Sequence, residues 1–275
     1  MSKVIFQIGH FQISIFGLMI AVGVLTGVWL AVREAKRIGV DPDSIMELVL
    51  YTIIGGVVGA RLIYVLVYNP QYYMAEPLAI LKIYEGGLSI HGGLLGGILV
   101  GGLYVKKKGL SFWKTADLVT PSLILGQAIG RIGCDVFGRP ILGSLPWGVS
   151  INGQLLHPAQ AYEFLLNYLL FFVLWRKRKN LEYNGQLFTT YLWAYPVIRA
   201  FVEMFRTNPQ IFGISVSYII SLVFVIAAIL LKRYLKQTMP LAKNNNKESR
   251  KSFLFDLGSV SVAIVISLVI YYSLY

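Results

Sequence analysis

The chain has 275 residues, 56% hydrophobic and only 14% charged, where a soluble domain carries about 25% charge; with a mean hydropathy of +0.65 it reads as a membrane protein. Lysine and arginine outnumber aspartate and glutamate 25 to 13, a formal net charge of +12, which in so apolar a chain marks membrane topology rather than nucleic-acid binding. The single cysteine, Cys134, excludes an intramolecular disulfide, and three histidines leave little material for a histidine-rich metal site.

Apolar windows of about 20 residues cross roughly 30 Å of hydrocarbon as helices. Eight such windows occur, at 14–32, 46–67, 87–105, 118–130, 159–175, 187–205, 213–231 and 253–275. The first is preceded only by Lys3 and lacks a small-residue cleavage pattern, so it reads as an uncleaved anchor. The fourth is short and punctuated by glycine and proline, and a tilt, break or partial re-entry is expected there, sheltered by protein or by a wet cavity. The fold class is therefore an all-α polytopic membrane protein.

Eighteen of the 25 cations fall in the segments after the first, third, fifth and seventh windows: Arg33, Lys36 and Arg37; Lys106, Lys107, Lys108 and Lys114; the run 176–179; and seven between Lys232 and Lys251. By the positive-inside rule those segments are cytoplasmic and the N-terminus lies outside. The one clear break in composition, 232–252, contains Asn244, Asn245 and Asn246 among charges and reads as a cytoplasmic linker. It separates a membrane core, 1–231, from an appended transmembrane helix, 253–275, that is expected to be removable.

An ionisable group inside a span costs a few kcal/mol and usually faces protein or water. Arg61, Glu163, Arg199 and Glu203 all need such surroundings. Arg199 and Glu203 are four residues apart on one helical face, with Arg206 on the same stripe, so mutual pairing is one explanation. A pocket of arginines for an anionic headgroup is the other, because guanidinium offers a forked, permanently charged donor set to phosphate. The three histidines, His10, His91 and His157, map with Arg131, Asp135 and Arg139 to the outer side. His91 sits among glycines at the mouth of the third window, where Gly92 and Gly96 have the spacing that lets membrane helices approach closely. After Pro158, the residues Gln160, Glu163 and Asn167 form a polar stripe that is uncomfortable against lipid.

Six pieces in register carry a resemblance to a known family. They are Gly17-Leu18-Met19; Gly59-Ala60-Arg61; Gly86-Gly87-Leu88-Ser89-Ile90-His91-Gly92-Gly93-Leu94; Gly130-Arg131-Ile132-Gly133; His157-Pro158-Ala159-Gln160-Ala161-Tyr162-Glu163; and Arg199-Ala200-Phe201-Val202-Glu203-Met204-Phe205-Arg206. Together, over about 13–231, they resemble the bacterial phosphatidylglycerol:prolipoprotein diacylglyceryl transferases.

The resemblance implies a seven-helix transferase core, to which this chain adds one C-terminal transmembrane helix. It also implies an enzyme that moves the diacylglyceryl group of phosphatidylglycerol onto the lipobox cysteine of a preprolipoprotein signal peptide, the first step of bacterial lipoprotein maturation. Such an enzyme works in the bilayer of the bacterial plasma membrane, with its active site toward the outer side and with no metal or organic cofactor. Carried onto this sequence, His91, Arg131 and Arg199 would be catalytic. Arg61, Arg131, Arg199, Glu203, Arg206, His157, Gln160 and Glu163 would bind substrate. Arg131 and Arg199 would take the headgroup phosphate in a shared polar cavity, Arg206 would support them, and Glu163 and Glu203 would orient them. Cys134 is not expected to be the nucleophile, since the reacting thiol belongs to the substrate. The loop after Gly133 departs from the family pattern, with Cys134, Asp135, Gly138 and Arg139 where many members carry asparagines and an acid. A lipid transporter or scramblase, and an inactive lipid-binding relative, are the alternative readings.

Overall fold

The computed structural model describes residues 4–8, 11–207, 210–211, 214–241 and 250–275. Lys3, His10 and the middle of the polar linker lie outside these. A strand pair, β1 (Val4–Ile8) and β2 (Phe11–Ser14), leads into α1 (Ile15–Ile38). Then come α2 (Pro42–Tyr68), the short α3 (Pro70–Ala75), two 3-10 turns at Pro77–Leu81 and Ile83–Glu85, α4 (Ile90–Lys107) and α5 (Phe112–Ile132). A hairpin of β3 (Val149–Ile151) and β4 (Gln154–Leu156) precedes α6 (Ala159–Lys177) and α7 (Gln186–Glu203). The strands β5 (Gln210–Ile211) and β6 (Ile214–Ser215), α8 (Val216–Thr238) and α9 (Arg250–Leu274) complete the described chain.

Each of the eight apolar windows overlaps one long helix. The helices α1, α2, α8 and α9 are apolar enough to cross a membrane on length and composition alone, and the protein is an all-α polytopic membrane protein. The helix α8 runs through Thr238 and α9 begins at Arg250, so regular helix extends into both ends of the segment read as a linker. The fourth window differs more from expectation: α5 runs unbroken for 21 residues with Pro121 inside it. Pro121 has no N–H to give to the Asp117 carbonyl one turn back, and the neighbouring Thr120 Oγ1 donates to the Ala116 carbonyl at 2.7 Å.

The chain forms two compact units, one of residues 28–115 and one of 1–27 with 116–275. In the first, α2 and α4 meet through glycines. A Cβ on Gly59 would come within 2.5 Å of the Gly92 carbonyl oxygen and 2.9 Å of Gly96 Cα, so the backbones touch where any side chain would part them. Arg61, two residues beyond, is 6% exposed. Its five N–H donors go to main-chain carbonyls: Nε to Ile80, Nη1 to Gly86 and Gly87, and Nη2 to Ala79 and Lys82. At the other end of this unit Glu47 Oε2 accepts from Tyr104 Oη at 2.6 Å and lies 2.9 Å from Lys108 Nζ.

In the second unit the first half of α1 lies against α5, with a Cβ on Gly23 only 2.7 Å from the Gly126 carbonyl oxygen. The β3–β4 turn is Asn152-Gly153, both with positive φ (51° and 77°), the pairing a two-residue hairpin of right-handed twist requires. The start of α7 is fixed by Asp117 of α5. Oδ2 accepts from the backbone N–H of Gly185 and Gln186 at 2.7 and 3.1 Å, and Oδ1 from Leu187 and Phe188 at 2.8 and 3.0 Å. Four orphan donors and the positive end of a helix dipole thus converge on one buried carboxylate.

Asp117→Asn keeps the side chain's size but removes the charge and one acceptor oxygen. Thermal unfolding in detergent should show a loss of about 2–4 kcal/mol, since two buried N–H groups lose a charged partner; unchanged stability would mean that the start of α7 is held by something else.

Candidate functional site

The polar side chains of three helices converge in the second unit. On α5, Gln127 and Arg131 are one turn apart; on α6, Gln160, Glu163 and Asn167 lie on one stripe; on α7, Tyr191, Tyr195 and Arg199 repeat every four residues. Arg131 Nε stands 2.9 Å from Glu163 Oε1, and the Glu163 side chain is 1% exposed. Tyr195 Oη donates to the same oxygen at 3.3 Å, and Gln127 Nε2 donates to Tyr191 Oη at 2.9 Å. The two tyrosine rings stack at 5.5 Å. A buried carboxylate survives in such surroundings because a charge and a hydroxyl converge on it.

Arg199 Nη1 lies 2.9 Å from Glu203 Oε2, but without the alignment of a hydrogen bond; the contact is electrostatic and leaves the Nη1 N–H groups without a hydrogen-bond acceptor. Glu203 accepts from Ser215 Oγ, the cap of α8. Arg206 follows directly after α7, and its Nε is buried without a hydrogen-bond partner. Burial, and then the like charges of Arg199 and Arg131, draw its guanidinium below the usual arginine range, so the three cations feel one another. Glu163 Oε2 and both polar atoms of the fully buried Asn167 also lack partners. These are unmet polar groups in a protein interior, where most such groups are satisfied.

The loop at this end is clasped from both sides. Gly138 N–H donates to the His157 carbonyl at 2.8 Å, Arg139 N–H to Phe205 at 2.8 Å and His157 N–H to Arg139 at 3.1 Å. A Cβ on Gly138 would reach 2.8 Å from His157 Cβ, so this position is closely packed against the start of the His157 segment. His157 Nδ1 is 3.2 Å from Tyr162 Oη, and burial followed by the charge of Arg139 lowers the ring's pKa below the ordinary histidine value. Cys134 is buried; its Sγ receives Arg131 Nη1 at 3.6 Å and its carbonyl receives Gln160 Nε2 at 3.0 Å.

Arg131, Arg199, Arg206, Glu163, Glu203, Gln160 and His157 therefore lie in one unit and largely in one cluster. Arg131 and Arg199 each face a carboxylate, Glu163 and Glu203 respectively. Arg61 and His91 belong to the other unit. The structure does not give Arg61 the free donor fork expected of a headgroup ligand, since five carbonyls occupy it. His91 is exposed in the first turn of α4. Sequence reasoning missed Tyr191, Tyr195 and the donor role of Gln127; the four-residue spacing of those tyrosines ahead of Arg199 was the available signal.

A family model described as prolipoprotein diacylglyceryl transferase matches residues 3–234. The phosphatidylglycerol–prolipoprotein diacylglyceryl transferase of Clostridioides difficile (strain 630) is 37% identical over 91% of this chain and all of its own length. Proteins of the same description from Bacillus cereus and Bacillus mycoides are each 37% identical over 84% of this chain and 90% of theirs. With the resemblance first carried by six short motifs now matched across nearly the whole length, this chain belongs to the prolipoprotein diacylglyceryl transferase family.

Proposed function

We propose that the protein transfers the diacylglyceryl group of phosphatidylglycerol to the lipobox cysteine of a preprolipoprotein, in the bacterial plasma membrane and with the reaction at its outer side. Besides family membership, the observation that carries this reading is the gathering of Arg131, Arg199 and Arg206 against Glu163, Glu203 and Tyr195 at one end of a helical unit. The N-terminus outside and a core of 1–231 followed by a linker and an appended helix complete the reading, on the distribution of cations and motifs.

The thiolate sulfur attacks the glycerol carbon that bears the phosphate. A C–S bond forms, the C–O bond to phosphate breaks, and glycerol phosphate leaves with the bonding pair. The thiol proton must go to a base, because a thiol of pKa about 8.5 is only a few per cent ionised at neutral pH. His91 is the residue we assign to that proton. The leaving phosphate gains charge as the bond breaks, and donors already fixed in a poorly solvated site hold it without reorganisation. Arg131 and Arg199 serve that end, each aimed by its carboxylate, with Arg206 as the supporting cation. Gln160 and His157 border the headgroup. Arg61, its donors filled, contributes by holding the backbone of 79–87.

Arg199→Lys keeps the charge but cannot form the forked grip. With phosphatidylglycerol and a lipobox peptide in detergent, diacylglyceryl transfer followed by mass should fall about 100-fold. Full activity at normal abundance would leave Arg199 as only an ion-pair partner of Glu203.

Glu163→Ala strands the half-buried Arg131 guanidinium and should destabilise the fold by about 1–3 kcal/mol as well as abolish transfer. A stable, active variant would remove Glu163 from the site. By contrast, Cys134→Ser should retain most transfer, and a lipid adduct on Cys134 of the parent protein would show instead a covalent enzyme intermediate.

A further inference from the structure

The helix α9 lies wholly beyond the family match, which ends at residue 234, yet it reaches the candidate site. Three of its polar residues, Asp256, Ser267 and Tyr271, are spaced by eleven and four, which places them on one stripe of a 3.6-residue helix. Each finds a partner on α6. Arg176 Nη1 is 3.1 Å from Asp256 Oδ2, Tyr168 Oη is 2.9 Å from Ser267 Oγ, and Tyr271 Oη donates to Gln160 Oε1 at 3.2 Å. Tyr271 is fully buried, its ring edge-on to Phe164 at 5.8 Å.

That last bond pins the Gln160 side chain, and the Cys134 carbonyl, which can only accept, sets the sense of its amide. With Oε1 turned to Tyr271, Nε2 faces the Cys134 carbonyl at 3.0 Å; a flipped amide would set oxygen against oxygen at Cys134 and lose that bond, whereas the Tyr271 hydroxyl, donor or acceptor, holds the amide in place from the other side. Tyr275 Oη reaches the same carbonyl at 3.5 Å, and Cys134 N–H closes a turn onto the Arg131 carbonyl at 3.3 Å. A second line runs from Tyr272 Oη to the Trp147 carbonyl at 2.8 Å, from Trp147 Nε1 to Tyr162 Oη at 3.1 Å, and from there to His157. A helix that only anchored the chain in lipid would have no reason to bury a phenol hydroxyl against a buried amide, since such groups are costly unless paired.

We propose that α9 is a clamp on the anion site and that Tyr271 is a positioning residue, acting through Gln160 and the Cys134 carbonyl on the turn that ends α5 at Arg131. The inference rests on the transferase reading for its catalytic consequence and on the contacts alone for its structural one. Because Arg131 would grip the phosphate most tightly as it departs, a loosened turn should lower kcat more than it raises KM for phosphatidylglycerol.

The test uses full-length protein. Tyr271→Phe keeps the ring and removes the hydroxyl, and Gln160→Leu removes the relay. Tyr271→Phe should lower kcat about tenfold with KM changed less than about twofold, and should cost less than about twofold more when added to Gln160→Leu. A second readout does not depend on turnover: Cys134 is the sole cysteine, and its alkylation by N-ethylmaleimide should be at least severalfold faster in the Tyr271→Phe, Tyr275→Phe double variant, whose melting is recorded alongside. If the parent protein transfers lipid, an unchanged kcat in Tyr271→Phe, or full additivity with Gln160→Leu, overturns the positioning role. If the parent protein transfers nothing, it is the transferase reading that fails, and an unchanged alkylation rate would overturn the clamp as well.

Discussion

A carboxylate sealed inside a membrane protein dictates what surrounds it, and Glu163 is that group here. At 1% exposure its charge would be prohibitive alone, and the Arg131 guanidinium with the Tyr195 hydroxyl make it tolerable. The requirement fixes the end of α5 against α6 and the tyrosine face of α7 against both. A second pair, Arg199 with Glu203, lies one turn further along α7 and is joined through Ser215 to the start of α8. The chemistry proposed for the site and the packing of its helices are thus two results of one electrostatic arrangement, in which the same carboxylates that let arginines remain inside also aim them.

The frame that allows this is built from close backbone approach and from helix ends. Gly23 against Gly126 brings α1 and α5 together, while Asp117 gathers four N–H groups and sets the start of α7. Neither feature touches the proposed substrate. Both decide where Gln127 and Arg131 on one helix, and Tyr191 to Arg199 on the other, stand along their axes. A shift of one residue in either helix would turn these side chains by about 100° and disperse the cluster.

Spans and site residues were legible in the sequence to different depths. The eight windows were readable because lipid punishes unpaired backbone, so helices of that length write themselves as hydropathy. The polar stripe Gln160, Glu163, Asn167 and the ladder Arg199, Glu203, Arg206 were readable because helical spacing converts directly to a shared face. Glu163 as the partner of Arg131 was not, because the two are 32 positions apart and composition says nothing of which helices meet. The continuity of α5 through Pro121 was hidden for a related reason: tertiary support outweighed a local helix breaker. The reach of α9 escaped altogether, since Tyr271 and Tyr272 look like any aromatic belt at a bilayer interface until the structure shows one phenol buried on Gln160 and the other bound to a loop carbonyl.

Arg61 separates two meanings of an intramembrane cation. Every donor of its fork is spent on peptide oxygens from Ala79 to Gly87, so a stretch of chain with little regular structure acquires the hydrogen bonding that a helix would have supplied internally. A lysine at that position could meet at most three of those oxygens. The residue would therefore resist replacement for the sake of the backbone it holds, a different ground from the one proposed for Arg131 and Arg199. What distinguishes them is the partner class: main-chain dipoles for the one, side-chain carboxylates for the others.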